Sequence, residues 1–198
     1  MTGSPWGTID NSTVYAPGFK SVGTPGHGGI MITQTFANAN LSEAARKRGE
    51  RYGEYLCYEE DCKYAIPFLE LLEQYGDKMY AHCNQDWDYG TQEKRRAELI
   101  ITLSHYYPDY LLETGVTPEP EAYGRYLMNL EETRLRKAGS PDLVICACGS
   151  WHEKCRTGEV IVTTADGKDH FVTEASYDCR NRGTLNLLSC YTLTREVE

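Results

Sequence analysis

The hydrophobic period changes at Pro141, and this limits what the chain can fold into. Upstream, apolar residues recur at helical spacing. Ala97, Ile100, Ile101 and Ser104 share one side of the segment Gln92 to Tyr107, and Leu99 and Leu103 widen that face. Pro108 closes this helix. A second helix covers about 119–137. Its Tyr123, Tyr126, Leu127, Leu130 and Arg134 follow the i, i+3, i+4, i+7, i+11 pattern, and Gly139-Ser140-Pro141 stops it. Downstream, four runs are β-like: Leu143 to Cys148, Glu159 to Thr163, His170 to Thr173 and Leu185 to Tyr191. Asp166-Gly167-Lys168 reads as a hairpin turn between two of them.

The other end of the chain is also strand-like. Residues 1–40 are rich in Gly, Pro, Thr, Ser and Asn, and Phe19 to Val22 and Ile30 to Ile32 read as strands. The expected class is therefore α+β. An antiparallel sheet is built from N-terminal and C-terminal strands, with a central segment of about three to four helices at 41–140. In the segment Leu41 to Arg48, Ser42 is positioned to cap a helix formed by the residues that follow it. Its basic run Arg46-Lys47-Arg48, with Arg51, reads as a solvated face. Ala65, Ile66, Leu69 and Leu72 predict a helix from about 66 to 75, with Pro67 in its first turn and Gly76 at its end. That leaves 59–66 as a turn or short helix and 76–90 as a loop. The 198 residues suit a single domain.

Hydrophobic residues make up 40% and charged residues 25%, so a folded core is expected. Fifteen Tyr against four Phe place many rings at surfaces or clefts, where a polar tip meets water. The net charge of −9 argues against non-specific nucleic-acid binding, which needs Lys and Arg on phosphates. It suits an acidic surface that meets a basic groove on a partner protein, and it also simply aids solubility. No secretory leader pattern opens the sequence, so the eight Cys are expected as thiols in the cytoplasm. No run approaches the about 18 apolar residues of a membrane span. P-loop, dinucleotide-glycine, His-Glu-x-x-His and Gly-x-Ser-x-Gly strings are all missing, and no cofactor is indicated.

Two short strings carry chemistry. One is the loop Thr24-Pro25-Gly26-His27-Gly28-Gly29. The other is Tyr58-Glu59-Glu60-Asp61-Cys62. Cys62 can act as a nucleophile if His27 serves as its base and Glu59, Glu60 or Asp61 orients the ring. The backbone N–H groups of Gly28 and Gly29 would then form an anion nest, with Gly26 and Tyr58 as further binding positions. The same His, acids and thiol also have metal-site chemistry. A third reading is structural: the carboxylates cap loop N–H groups and fix His27. Bracing asks least of the residues, because three adjacent acids do not share one direction with the thiol. Cys146-Ala147-Cys148 and Cys155, with His152, lack the paired C-x2-C spacing of structural zinc, and burial as small apolar groups is expected. His82-Cys83 with Cys57 and Cys62 follows no ligand spacing rule.

Trp6-Gly7, Ala16-Pro17-Gly18, Thr24 to Ile30 and Tyr58 to Ala65 resemble, in that order, a domain family of unknown function carried by bacteriophages and bacterial mobile elements. Trp151, Gly158-Glu159-Val160, Phe171-Val172 and Tyr177-Asp178-Cys179-Arg180 resemble its C-terminal strands more weakly, and 76–140 shows little similarity. Where the family usually has an aromatic before the Tyr-Glu-Glu-Asp-Cys string, this chain has Cys57. The resemblance implies no catalytic activity. It implies that the two strings meet in space. It also implies a bacteriophage or mobile-element origin; with the acidic charge and the missing leader pattern, the leading expectation is a cytoplasmic accessory protein in a bacterial host, which binds a host or competing-element macromolecule through an acidic, Tyr-rich surface. An enzyme of hydrolase or transferase type using His27 and Cys62, and a structural or oligomeric protein, are the alternatives.

Overall fold

A computed structural model describes residues 3–81, 90–149, 151–179 and 185–195. The chain divides into two compact units, Met1–Tyr123 and Gly124–Glu198. The first unit begins with β1 (Gly3–Ser4), β2 (Gly7–Thr8), β3 (Asn11–Ala16), β4 (Phe19–Gly23) and β5 (Gly28–Thr33). Helices α1 (Gln34–Asn40) and α2 (Glu43–Arg48) follow, then β6 (Glu50–Tyr52) and β7 (Tyr55–Glu59), then α3 (Ala65–Tyr80), α4 (Gln92–Tyr106) and α5 (Pro108–Glu113). Helix α6 (Pro120–Lys137) crosses the boundary. The second unit continues with β8 (Val144–Cys148), β9 (Glu159–Thr164), β10 (Asp169–Thr173), α7 (Glu174–Asp178) and β11 (Leu193–Arg195).

The α+β class holds, and the N-terminal and C-terminal strands hydrogen-bond in separate antiparallel sheets. The first unit carries a five-stranded sheet of order β3-β4-β5-β7-β6, and the second a four-stranded sheet of order β11-β10-β9-β8. Alternation along β5 and β7 explains the first sheet's two faces. Ile30, Ile32, Leu56 and Tyr58 join Phe19, Ile66, Leu69 and Leu72 in the main core. Met31 and Cys57 point the other way and pack with Val22 under Trp6, Ile9, Tyr52 and Tyr55.

Three expectations change. The helical segment expected over 41–140 is interrupted, because residues 50–59 form the β6–β7 hairpin, turning at Gly53 with φ +59°. Leu56, Tyr58 and their neighbours alternate rather than follow a helical face, and pairing with β5 settles them as strand. Helix α3 runs past Gly76 to Tyr80 because Met79 is buried and Tyr80 packs on the core. Gly76 sits inside it, where a Cβ would approach Leu72. The run Leu185 to Tyr191 is no strand. Leu187 makes an isolated bridge to Leu143, Leu188–Cys190 form a 3₁₀ turn, and the edge strand is β11. Asn186 Nδ2 donating to the Val144 carbonyl pins that turn.

Other readings hold. Ser42 caps α2 by accepting from the Ala45 N–H, and Gly167 turns the β9–β10 hairpin with φ +83°. The small core of the second unit gathers Val144, Val160, Val162, Val172 and Tyr191. Among the described residues, no helix is long and apolar enough to cross a membrane.

Candidate functional site

The β4–β5 hairpin makes the His27 loop. Its Thr24 N–H donates to the His27 carbonyl at 2.8 Å. The Thr24 hydroxyl donates to the same carbonyl at 2.6 Å and accepts from the His27 N–H at 3.2 Å. The loop is thus a closed turn, and Gly28 and Gly29 already lie in the strand ladder, opposite Gly23 and Val22.

The acidic string follows at the end of β7, beside β5 in the sheet. Gly29 pairs with Glu59, and Ile30 with Tyr58. This adjacency brings the two strings together. Glu60 Oε1 lies 3.9 Å from His27 Nδ1, and both side chains are largely exposed. A Cβ on Gly28 would lie 2.5 Å from Glu60 Oε2 and 2.7 Å from the Val22 carbonyl oxygen. A Cβ on Gly29 would collide with the Tyr58 carbonyl oxygen and lie 2.5 Å from the Trp6 ring. The glycines therefore leave room for a carboxylate and an indole.

The three acids have different tasks. Glu59 Oε1 accepts from the Asp61 N–H at 2.6 Å, and its Oε2 accepts from the Cys62 N–H at 3.4 Å. Its backbone carbonyl accepts from the Tyr64 N–H at 2.8 Å. Glu59 thus closes the turn that leads into α3, in the manner of a cap. Glu60 and Asp61 are left exposed. Tyr58 is fully buried, its hydroxyl donates to the Ala45 carbonyl at 3.0 Å, and burial pushes its phenol well above the ordinary range.

Cys62 is half-buried. Its sulfur lies 3.9 Å from Glu59 Oε2 and 3.7 Å from the Tyr107 hydroxyl. No hydrogen bond joins it to His27 among the described residues. Burial, then the contact with Cys62, pushes the Tyr107 phenol upward. Tyr107 was not signalled by the sequence, since it lies 45 residues from Cys62. Trp6 was visible only as part of the N-terminal resemblance.

Elsewhere, Cys146 is exposed and Cys148 and Cys155 are half-buried, which corrects their reading as core cysteines. The register shift between Val144 and Cys146 takes Cys146 off the buried face. Among the described residues, no three His, Cys, Asp or Glu side chains gather as a metal site. The grouping of Cys57 and Cys62 with His82 and Cys83 lies partly outside the described residues. Cys57 itself is buried on the sheet face opposite the main core.

The fold and this corner define an α+β architecture whose acidic turn lies beside a glycine-rich hairpin. The chain belongs to the family described as Domain of unknown function (DUF7007), which matches residues 1–123. No curated protein and no solved structure matches the chain.

Proposed function

We propose that this chain is an accessory protein of a bacteriophage or mobile element. It acts in the bacterial cytoplasm by binding a macromolecule of the host or of a competing element. The observation that carries this reading is the division of labour among the acids. Glu59 is folded into its own turn, while Glu60 and Asp61 stand exposed, Glu60 beside the exposed ring of His27. A rigid acidic projection of this kind complements a basic groove on a partner protein. The net charge of −9 supports the same polarity. The phage origin is supported by the resemblance at the Thr-Pro-x-His-Gly-Gly and Tyr-Glu-Glu-Asp-Cys strings.

The test is a pull-down from bacterial lysate at low and high salt, with the wild-type chain and a Glu60→Lys/Asp61→Lys variant. A protein retained by the wild type at low salt, released by salt and not retained by the variant is expected. No retained partner, or one held equally by both chains, overturns the proposal.

A further inference from the structure

The basic run of α2 does not behave as one solvated face. Arg48 is neutralised: its guanidinium donates to Glu113 at 2.8 Å and Asp109 at 2.7 Å, and it stands over the Tyr110 ring. Lys63 is likewise paired with Glu50 at 2.8 Å. Arg46 and Arg51 have no such carboxylate among the described residues. Arg46 is half-buried and held by one donation, from Nη1 to the Leu41 carbonyl at 2.5 Å. Arg51 is exposed, and among the described residues no hydrogen bond or ion pair engages its guanidinium. In a chain with nine more acids than bases, two such arginines on one cleft are a departure from the overall balance.

Both line a single cleft of about 320 Å³ with Lys47, Glu43, Gln34 and Asn38. Tertiary structure gathers them. Gln34 and Asn38 lie one helical turn apart on α1, and Arg46 and Lys47 come from α2. Arg51 comes from β6, where it stands opposite Leu56. Residues directly opposite share a sheet face, and Leu56 belongs to the main core, so Arg51 projects on the helix-bearing side. Lys47 meets Glu43 at 2.9 Å, and the same carboxylate also attracts Arg46, so a lining of three bases and one acid keeps an excess of positive charge. Amide side chains beside them add neutral donors. The volume is at the small end of ligand pockets, which run from about 300 Å³ upward.

We infer that this cleft binds a small phosphate monoester, with the Arg46 and Arg51 guanidinium groups on the phosphate oxygens and Asn38 as an amide donor. Guanidinium forks match tetrahedral oxyanions in geometry and keep their charge at every physiological pH. The cleft is separate from the acidic turn at Glu60, so the two proposals stand or fall independently.

Titration calorimetry on the full chain tests it, using inorganic phosphate, a mononucleotide monophosphate and heparin at matched ionic strength. Saturable binding of both phosphate probes is expected, and Arg51→Gln should weaken it by about tenfold or more. Tighter binding of the mononucleotide than of phosphate supports the monoester, and equal affinity overturns it in favour of free phosphate. Arg46→Gln should weaken binding similarly. Should it lose its fold through the Leu41 tether, Arg51→Gln decides alone, because among the described residues its guanidinium makes no hydrogen bond or ion pair. Heparin binding without saturable phosphate binding, or Arg51→Gln binding phosphate as the wild type does, overturns the inference.

Discussion

Gly26 and Gly29 belong to one hairpin and meet opposite demands. Nothing lies within 4 Å of a Cβ at Gly26, and its φ is not in the left-handed region. Gly26→Ala should therefore leave stability unchanged or raise it by up to about 1 kcal/mol, by restricting the unfolded chain. Gly29→Ala drives a methyl into the Tyr58 carbonyl and the Trp6 ring, and should cost about 1–3 kcal/mol or more. Urea midpoints of the two variants check both signs. The cysteines also separate at this scale. Burial pushes the Cys57 thiol up to about 12, with the Glu50 charge adding and Lys20 opposing. Cys57 should stay unlabelled by a maleimide pulse on the native protein at neutral pH, while exposed Cys146 labels early. Peptide mapping by mass spectrometry reads the order. Cys62 labelling much faster than Cys146 would instead favour a nucleophile at the His27 corner.

At the scale of elements, the end of the second sheet depends on one carboxylate. Glu159 opens β9 and is only 6% exposed. The Arg156 N–H foremost, then Arg195 and Thr194, hold its carboxyl down to about 2, against the opposing effect of burial. The guanidinium of Arg195 also covers the Phe171 ring, so β11 is tied to β9 and β10 through this group. A folded value below the unfolded one, near 4.5, means that the folded state favours the carboxylate. Its stabilisation is complete above about 4.5 and is lost as pH falls towards and through about 2. The wild type should lose more stability than Glu159→Gln between those limits, as measured by urea midpoints at several pH values. Equal losses would show that Glu159 is not the group responsible.

At the scale of the molecule, the family match and the first compact unit both end at residue 123. That unit holds its own five-stranded sheet and the larger core. Its last residues are capped from within: Glu119 accepts from the Glu121 and Ala122 N–H groups, and Ala122 is buried. A fragment of residues 1–123 should therefore fold alone, with a helical circular-dichroism spectrum and a cooperative urea transition. A fragment that unfolds without cooperativity would show that residues 124–198 are needed for its stability.

Long periodic segments were legible from the chain itself. Helices α4 and α6, the β4–β5 hairpin and the Asp166-Gly167-Lys168 turn follow from spacing, caps and turn residues, which act over a few neighbours. The α+β class followed as well, whereas the meeting of the two strings was implied by the family resemblance alone. Pairing with distant strands decided the rest. The β6–β7 hairpin exists because β7 is held by β5, and Gly76 stays helical because buried neighbours outweigh its low propensity. The assignment of Glu59 to the turn and of Glu60 and Asp61 to solvent depends on the same pairing. So does the gathering of Arg46 and Arg51 in one cleft. Local sequence determines which conformations a segment favours. Which side chains are buried, paired or left free depends on partners far along the chain, and only the folded structure brings those partners together.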